Sequence, residues 1–377
     1  MKIGKYTLIL LLLTFSLLTN AKFVAHFRMV DLVIIFYIVT HSRHLSLNRK
    51  EVALISAFLV VISVTSFLNF DGNPRVHEIV FYYKYLFFFL TLILIRNLTK
   101  ARRTSIDTPI CINKISPMLF IRCLGVYYII FNFLFFFNNS FLSVTGASRV
   151  SIPFSSLDAG TSNAPAYSII LFAIAIYFDR YGKSRLDSII SFGLIISALL
   201  AGSRSGVVIF VLYIIFYRRP VFDKRTVSVI LICIVGIILY GDNISGVFLE
   251  LVSRTFEFNL MSDTSAQDRL FKQFLAIEMT LEKSAMFFGI GHENTSITWY
   301  DGMVGNLLII GGAPAVLIFS MVIYVTCKSI DDGPKMFVIL FTAVSLISEF
   351  VLTSYVCGIL LLLTLSTEEN NNAAKPI

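Results

Sequence analysis

Long apolar stretches recur along almost the whole chain, and only short polar breaks separate most of them. A helix that crosses the hydrocarbon core of a bilayer needs roughly 17–25 mostly apolar residues. The 377 residues therefore leave room for about a dozen such helices and their connections. Only 14% of the residues are charged, whereas a soluble domain carries about 25%. The sequence thus excludes a mainly soluble protein and predicts an all-α integral membrane protein.

We predict twelve membrane-spanning helices, because backbone polar groups inside a bilayer must be bonded within the protein. The predicted spans are 6–22, 26–40, 52–70, 79–96, 118–137, 165–178, 187–201, 206–217, 227–241, 304–327, 336–348 and 351–366. Thr19–Ala21 is a poor cleavage site, so we expect the first span to be an uncleaved helix. The stretch Gly311-Gly312-Ala313-Pro314 interrupts the tenth span, and its proline predicts a kink. The segment 368–372 is predicted to be disordered.

The basic residues indicate the orientation, because cytoplasmic connections of membrane proteins carry an excess of lysine and arginine. With the N-terminus inside, 20 of the 31 Lys and Arg lie in inside segments, 10 lie outside, and Arg122 lies near the inner end of its span. Four of the outside ten belong to one long connection, to which this bias does not apply. We therefore expect both termini in the cytoplasm. This placement accounts for the net charge of +8, so we expect no nucleic-acid partner.

The connection 242–303 is the longest and sets the predicted division of the chain. An N-terminal bundle (1–241) precedes this external loop, and C-terminal helices with a short tail (304–377) follow it. Long connections are usually functional or disordered. Within the loop, 265–282 has the helical periodicity of an amphipathic helix. Such a helix would lie on the outer leaflet or pack on the spans, and the sequence leaves both open. The other long outside segment, 138–164, is predicted to be irregular.

Two of the predicted external segments between spans combine glycines with ionisable residues. Gly202–Gly206 separates two spans and contains Arg204. Keeping a charge between hydrophobic helices is costly, so a functional role is expected. Phe288–Gly291 contains two glycines, which allow a tight turn, and His292 and Glu293 follow it directly. Both segments are therefore candidates for a site at the outer face.

These features resemble the bacterial O-antigen polymerase and O-antigen ligase superfamily. In chain order, the resemblance rests on the Gly202-Ser203-Arg204-Ser205-Gly206 break, Arg269 with Phe271 in the amphipathic helix, Phe288–Gly291, the junction from Asp301 to Gly312, and Glu349 before the last helix. The resemblance covers roughly 200–366. Two departures are Ser205, which separates the arginine from Gly206, and the single His292 in place of a histidine-rich cluster.

The resemblance implies a GT-C-like glycosyltransferase at the periplasmic face of the bacterial inner membrane. A glycan on undecaprenyl pyrophosphate would be transferred to a lipid-linked repeat unit. The implied partners are this lipid-linked oligosaccharide and membrane lipids, with a chain-length regulator protein left open. The single histidine favours a polymerase over a ligase, which would transfer the glycan to lipid A–core. A flippase for lipid-linked oligosaccharides is the third hypothesis, but it would bury charges along its spans.

The arginines would act on the leaving group of this reaction, a lipid pyrophosphate. A guanidinium binds phosphate oxygens bidentately and stays charged at any relevant pH. The resemblance therefore assigns Arg204 and Arg269 to the pyrophosphate, with Arg254 as a weaker candidate. The alternatives are a structural ion pair for Arg204 and a solvated helix face or a lipid contact for Arg269.

The remaining site residues would act on the attacking hydroxyl, which must lose a proton. His292 is the expected general base, with a structural loop histidine as the alternative. Asp301, Glu293 and Glu349 would orient the base or bind sugar hydroxyls, unless they cap helices or pair with arginines. The five cysteines lack metal-ligand spacing and are expected to be buried without disulfides. We expect no metal and no other cofactor, because a basic site can replace a divalent cation.

Overall fold

The structure, a computed structural model, describes 5–19, 22–24, 27–40, 46–69, 76–104, 116–137, 164–200, 208–209, 211–213, 215, 264–282, 285–291, 302–346 and 354–373. In these ranges the helices are α1 (Lys5–Thr19), α2 (Met29–Thr40), α3 (Arg49–Leu68), α4 (Val76–Thr104), α5 (Pro117–Phe137), α6 (Ala164–Tyr181), α7 (Arg185–Leu200), α8 (Thr264–Glu282), α9 (Met303–Cys327), α10 (Asp332–Ser345) and α11 (Ser354–Ala373). Strands β1 (Lys22–Val24) and β2 (Phe27–Arg28) form one antiparallel pair. The described part of the chain is thus mostly helical, as predicted.

Three of the described helices, α3, α5 and α9, are long and apolar enough to cross a membrane. Shorter apolar helices cover Leu8–Leu18, Met29–Thr40 and Val356–Ser366. This agrees with the transmembrane character predicted from composition, whereas the number of spans stays a prediction. The predicted span 227–241 lies outside the described residues, as does about half of 206–217.

The connection between α1 and α2 differs from the prediction, which ended one span at residue 22 and began the next at 26. Lys22 pairs with Arg28 in the β1–β2 ladder instead. The Arg28 N–H donates to the Asp31 carboxylate at 2.7 Å, and this acceptor satisfies a free donor at the start of α2. The local cap therefore sets the helix start, which an apolar pattern does not mark.

The end of α11 also corrects the prediction. The last span was placed at 351–366 with a disordered segment at 368–372, but the helix continues to Ala373. Adding a residue to an existing helix is much easier than starting one, and glutamate is a good helix former. The polar composition of this segment therefore did not end the helix.

The described residues divide into two compact units, and the first lies within 1–13, 22–114 and 259–368. Here α9 packs against α3, α4, α8 and α10. Its core is aromatic: the Phe319 ring lies 5.3 Å from Phe89 and 5.7 Å from Tyr85 between centroids. Phe58 contacts the same rings edge-on. These rings align α3, α4 and α9 side by side.

A buried ion pair joins α3 and α4 in this first unit. Arg96 of α4 donates to Glu51 of α3 and to the Ser46 carbonyl, and both charged side chains are buried. Glu51 also completes the capping box of Asn48 at the start of α3. Asn97 accepts from the Ser46 N–H at 2.9 Å. The cluster therefore fixes the connection that enters α3.

The second unit, within 14–21, 115–258 and 369–377, contains the three mutually packed helices α5, α6 and α7. Glycines let α5 and α7 approach closely: a Cβ at Gly125 would lie 2.8 Å from Ile190, and one at Gly193 would lie 2.7 Å from Ile129. Small residues at helix contacts are typical of membrane bundles. The predicted three-part division at 241 and 303 stays a prediction.

Candidate functional site

The tenth predicted span contains the predicted kink. Gly312, in α9, has φ 64° and ψ −162°, which breaks the helical conformation, and Pro314 follows it. Gly312 lies nine residues after Met303, about 14 Å along the axis. A broken helix at membrane depth is tolerated only where protein or a wet cavity covers it, and here Gly311 and Gly312 are buried.

The turn 285–291 supplies that cover by exchanging hydrogen bonds with α9. In a regular helix the Ala313 N–H would bond to the Ile309 carbonyl, four residues earlier. Instead it donates to the Met286 carbonyl at 2.7 Å, while Ile309 accepts from Ile290 and Gly291, each at 2.9 Å. The broken bond is thereby replaced, and the turn becomes attached to the first half of α9.

The exchange of hydrogen bonds requires glycine both in the turn 285–291 and in α9. Gly289, Gly291 and Gly312 all have positive φ, at 68°, 75° and 64°, a region that L side chains rarely adopt. Space is also short, since a Cβ at Gly289 would lie 2.5 Å from the Ile309 oxygen. The glycines that predicted a tight turn and a glycine of the stretch that predicted a kink thus belong to one contact.

The end of α3 supports the turn from a second side. Thr65 is buried, and its hydroxyl donates to the Phe288 carbonyl. Asn69 bonds back to the Thr65 carbonyl through Nδ2 at 2.8 Å, and its Cβ would be 2.9 Å from a Cβ at Gly291. The residue directly before His292 is therefore held between α3 and α9.

Helix α8 packs on α9 through one face. Ala276 is buried with Ile290 and Ile309 in a small apolar cluster. Gln273 lies so close to Gly302 that a Cβ there would collide with its amide. The predicted amphipathic helix is therefore confirmed at 264–282, and the structure packs it on a predicted span.

The opposite face of α8 is exposed and combines large apolar residues with two glutamates. Phe271 is 62% exposed and Phe274 is 67% exposed, while Glu278 and Glu282 lie beside them in exposed positions. Such a face suits the boundary between headgroups and acyl chains. Packing on α9 and contact with lipid are therefore compatible, although the sequence presented them as alternatives.

Described neighbours of three predicted site residues contact α9 and form one corner of the first unit. Gly291, directly before His292 in the sequence, bonds to Ile309, and Gly302, directly after Asp301, precedes the first residue of α9. Ile309 and Gly302 are seven residues apart along α9, about 10 Å. Arg269 stands four residues, about one turn, before Gln273 of α8, which lies beside Gly302.

Most of the predicted site side chains lie outside the described residues. These are Arg204, Arg254, His292, Glu293, Asp301 and Glu349. Arg269 is placed through its backbone in α8 alone. Glu349 follows α10 by four residues, and Ser345 of α10 reaches the Met303 sulfur at 3.4 Å. The side chain of Ser345, at the end of α10, thus also lies close to the start of α9.

Sequence reasoning missed four polar residues that build this corner: Thr65, Asn69, Gln273 and Asn306. Asn306 is buried in the first turn of α9, and its amide donates to the Gly302 carbonyl at 3.2 Å. An asparagine inside an apolar span is a detectable signal, because polar groups at membrane depth are rare and usually functional. Thr65 gave no such signal, since threonine is common in apolar helices.

The fold and this corner define a helical protein with membrane-spanning segments and a turn folded into a broken helix. No family model, curated protein or solved structure matches the chain.

Proposed function

We propose that the protein is a polymerase of bacterial surface polysaccharide. It transfers a glycan from undecaprenyl pyrophosphate to a lipid-linked repeat unit at the periplasmic face of the inner membrane. In this proposal the chain has about twelve spans, both termini are cytoplasmic, and α8 with the turn 285–291 belongs to the outer side. The family resemblance in the sequence is the source of the substrate class.

The observation that supports the proposal most is the attachment of the turn 285–291 and of α8 to α9. A polymerase must hold a phosphate-binding cation, a base and an acidic residue close together at the membrane boundary. Gly291, which precedes His292 in the sequence, bonds to Ile309, and Gln273, one turn after Arg269 in α8, lies beside Gly302, which follows Asp301. The exposed Phe271 and Phe274 of α8 suit a substrate that arrives through the lipid phase.

The reaction follows from these residue types. His292 removes the proton from the acceptor hydroxyl as its oxygen attacks the anomeric carbon, and the bond to the pyrophosphate oxygen breaks. Negative charge grows on the leaving pyrophosphate, where Arg269 and Arg204 stabilise it with paired N–H donors. A fixed donor of this kind contributes about 3–4 kcal/mol in measured enzymes. Asp301 and Glu293 orient the base or bind sugar hydroxyls.

The surface glycans of a strain that lacks this gene test the proposal. A polymerase mutant should carry one repeat unit on each lipid A–core. Free core together with lipid-linked polymer would indicate the ligase instead, and repeat units retained on the cytoplasmic side would indicate the flippase. Unchanged chain lengths would exclude all three functions. Complementation by the intact gene is the control.

A further inference from the structure

A groove lies between α5 and α7 in the second unit. Its volume is about 510 Å³, and six of its lining residues are apolar or aromatic: Leu119, Val126, Tyr127, Ile130, Leu186 and Ile190. Leu119, Ile130 and Leu186 are each about half exposed or more. Arg122 and Cys123, near the start of α5, complete the lining.

The arginine is held rigidly but not enclosed. Its Nε and Nη2 donate to the two carboxylate oxygens of Asp187 at 2.7 and 3.0 Å, and Nη2 also reaches Ser184 at 3.4 Å. None of these bonds uses Nη1. About a third of the Arg122 side chain is exposed, whereas Asp187 is buried. The ion pair therefore fixes the guanidinium while part of the Arg122 side chain stays exposed.

The charge around this opening is positive in spite of Asp187. That carboxylate also accepts from the backbone N–H groups of Lys183 and Ser184 at 3.0 Å each, and it stands in the first turn of α7. A helix N-terminus stabilises negative charge. The charge of Asp187 is therefore offset by the helix N-terminus and the backbone N–H groups as well as by Arg122. Lys183 and Arg185 are exposed at the same end and add two further cations.

The part of the groove between Arg122 and Ile130 is about as long as one leaflet of a membrane is thick. Ile130 lies eight residues after Arg122 on α5, about 12 Å along the helix. Half of a hydrocarbon core is about 15 Å thick. An apolar chain that runs from Ile130 towards Arg122 would thus end with its polar head at the cationic end.

We propose that this groove binds an anionic phospholipid, with its phosphate on Arg122, Lys183 and Arg185 and an acyl chain along the apolar wall. Basic pockets between helices on the cytoplasmic side are known to hold anionic headgroups, and the proposed topology puts this end there. The site is independent of the proposed glycosyl transfer.

The prediction of buried cysteines is wrong for Cys123, which is exposed, and right for Cys327 and Cys357. Because Cys123 lines the groove, it provides a direct reporter. The full-length protein is reconstituted in phosphatidylcholine, with or without cardiolipin, and treated with N-ethylmaleimide. Mass spectrometry of the peptide that contains Cys123 gives its rate of modification. We expect cardiolipin to slow this reaction in a saturable way relative to the rate in detergent. We expect the rate in phosphatidylcholine alone to equal the rate in detergent.

Three variants identify the headgroup contacts. Arg122→Gln should abolish the protection. Arg185→Gln and Lys183→Gln change exposed side chains and should fold normally, and each should raise the half-protecting cardiolipin fraction about fivefold, as expected for one surface cation. Lys50→Gln removes an exposed cation from the first unit and should change nothing.

Several outcomes would overturn the proposal. Equal protection by phosphatidylcholine would make the groove an unselective lipid contact. Protection by inorganic phosphate in detergent would make it a small-anion site, and protection that depends on protein concentration without lipid would indicate a second copy of the chain. An unchanged cardiolipin response in both Arg185→Gln and Lys183→Gln would exclude the headgroup contact, whatever the folding of Arg122→Gln.

Discussion

Arginine and lysine carry the same charge but bind phosphate differently, since only the guanidinium offers a planar pair of donors. If Arg269 binds the pyrophosphate, Arg269→Lys should yield cells with single-repeat glycan at normal protein levels. Lys272→Arg, three residues along α8, keeps its charge and is the matched control that should polymerise normally. Arg204→Lys should behave like Arg269→Lys. The measurement is the chain-length distribution of the surface glycan, and wild-type chains in either lysine variant would remove that arginine from the site.

The histidine has a different expected signature. General acid–base catalysis contributes about 10²–10⁴-fold to rate, so His292→Ala should lower turnover by that factor. Binding of the lipid-linked donor should persist, because the arginines supply that contact. Both quantities can be measured on the purified protein in bilayers.

Two other results would reassign His292. Loss of donor binding would make it a phosphate or sugar contact, with Asp301 or Glu293 as the next candidates for the base. Normal polymerisation would make it a structural residue of the loop. The transfer would then rest on positioning and charge stabilisation.

Among the elements, the contact between α3, the turn 285–291 and α9 supports the proposed site. The buried Thr65 donates its hydroxyl to the Phe288 carbonyl in a part-buried hydrogen bond, and such a bond contributes about 0.5–1.5 kcal/mol. Thr65→Val should therefore destabilise the protein by about this amount and reduce polymerisation. Thr65→Ser keeps the hydroxyl and should retain most of both. Thermal unfolding in detergent and glycan chain length measure the two effects, and equal behaviour of the two variants would exclude this bond as the anchor.

The buried ion pair of Arg96 and Glu51 is a second contact that holds helices together, in this case α4 and α3. Removing one partner of a buried ion pair costs about 3–5 kcal/mol, because the other charge remains buried alone. Arg96→Met should thus be strongly destabilising. The double variant Glu51→Gln/Arg96→Met should recover much of the loss, since no unpaired charge remains. Denaturant unfolding of the purified protein compares the two, and a double variant no more stable than Arg96→Met would argue against charge burial as the cause.

At the scale of the whole molecule, the proposed topology makes a direct prediction. Alkaline phosphatase is active only outside the cytoplasm. A fusion after Lys283 should therefore be active, and the same fusion after Arg103 should be inactive. Equal expression of the two fusions is the control. The reversed pattern would overturn the orientation and the periplasmic location of the site.

The described contacts agree with the alternation of inside and outside segments that the basic residues predict. Glu51 and Arg96 belong to predicted inner ends, as do Arg122 and Asp187. Thr65 and Phe288 belong to predicted outer parts, as do Asn132 and Tyr167, whose side chains bond at 3.0 Å. Each pair joins segments that the prediction puts at the same face, within one unit, and the orientation stays a prediction.

The sequence by itself determined the helical class, most helix positions and the break at Gly312, because apolar length, glycine and proline act locally. It placed α5 and α9 within one residue of their observed starts. It misplaced the start of α2 and the end of α11, where a cap and helix propagation override composition.

Tertiary structure alone decided which partners bond to the backbone groups that the break leaves without helical partners. Nothing in the sequence pairs Ile309 with Gly291 or Gln273 with Gly302, because these contacts join segments that apolar periodicity treats separately. A backbone group freed inside a membrane must find a partner within the protein, and only the packed fold supplies one. For that physical reason the turn before His292 lies against a broken helix, while the sequence had shown only a turn and a kink.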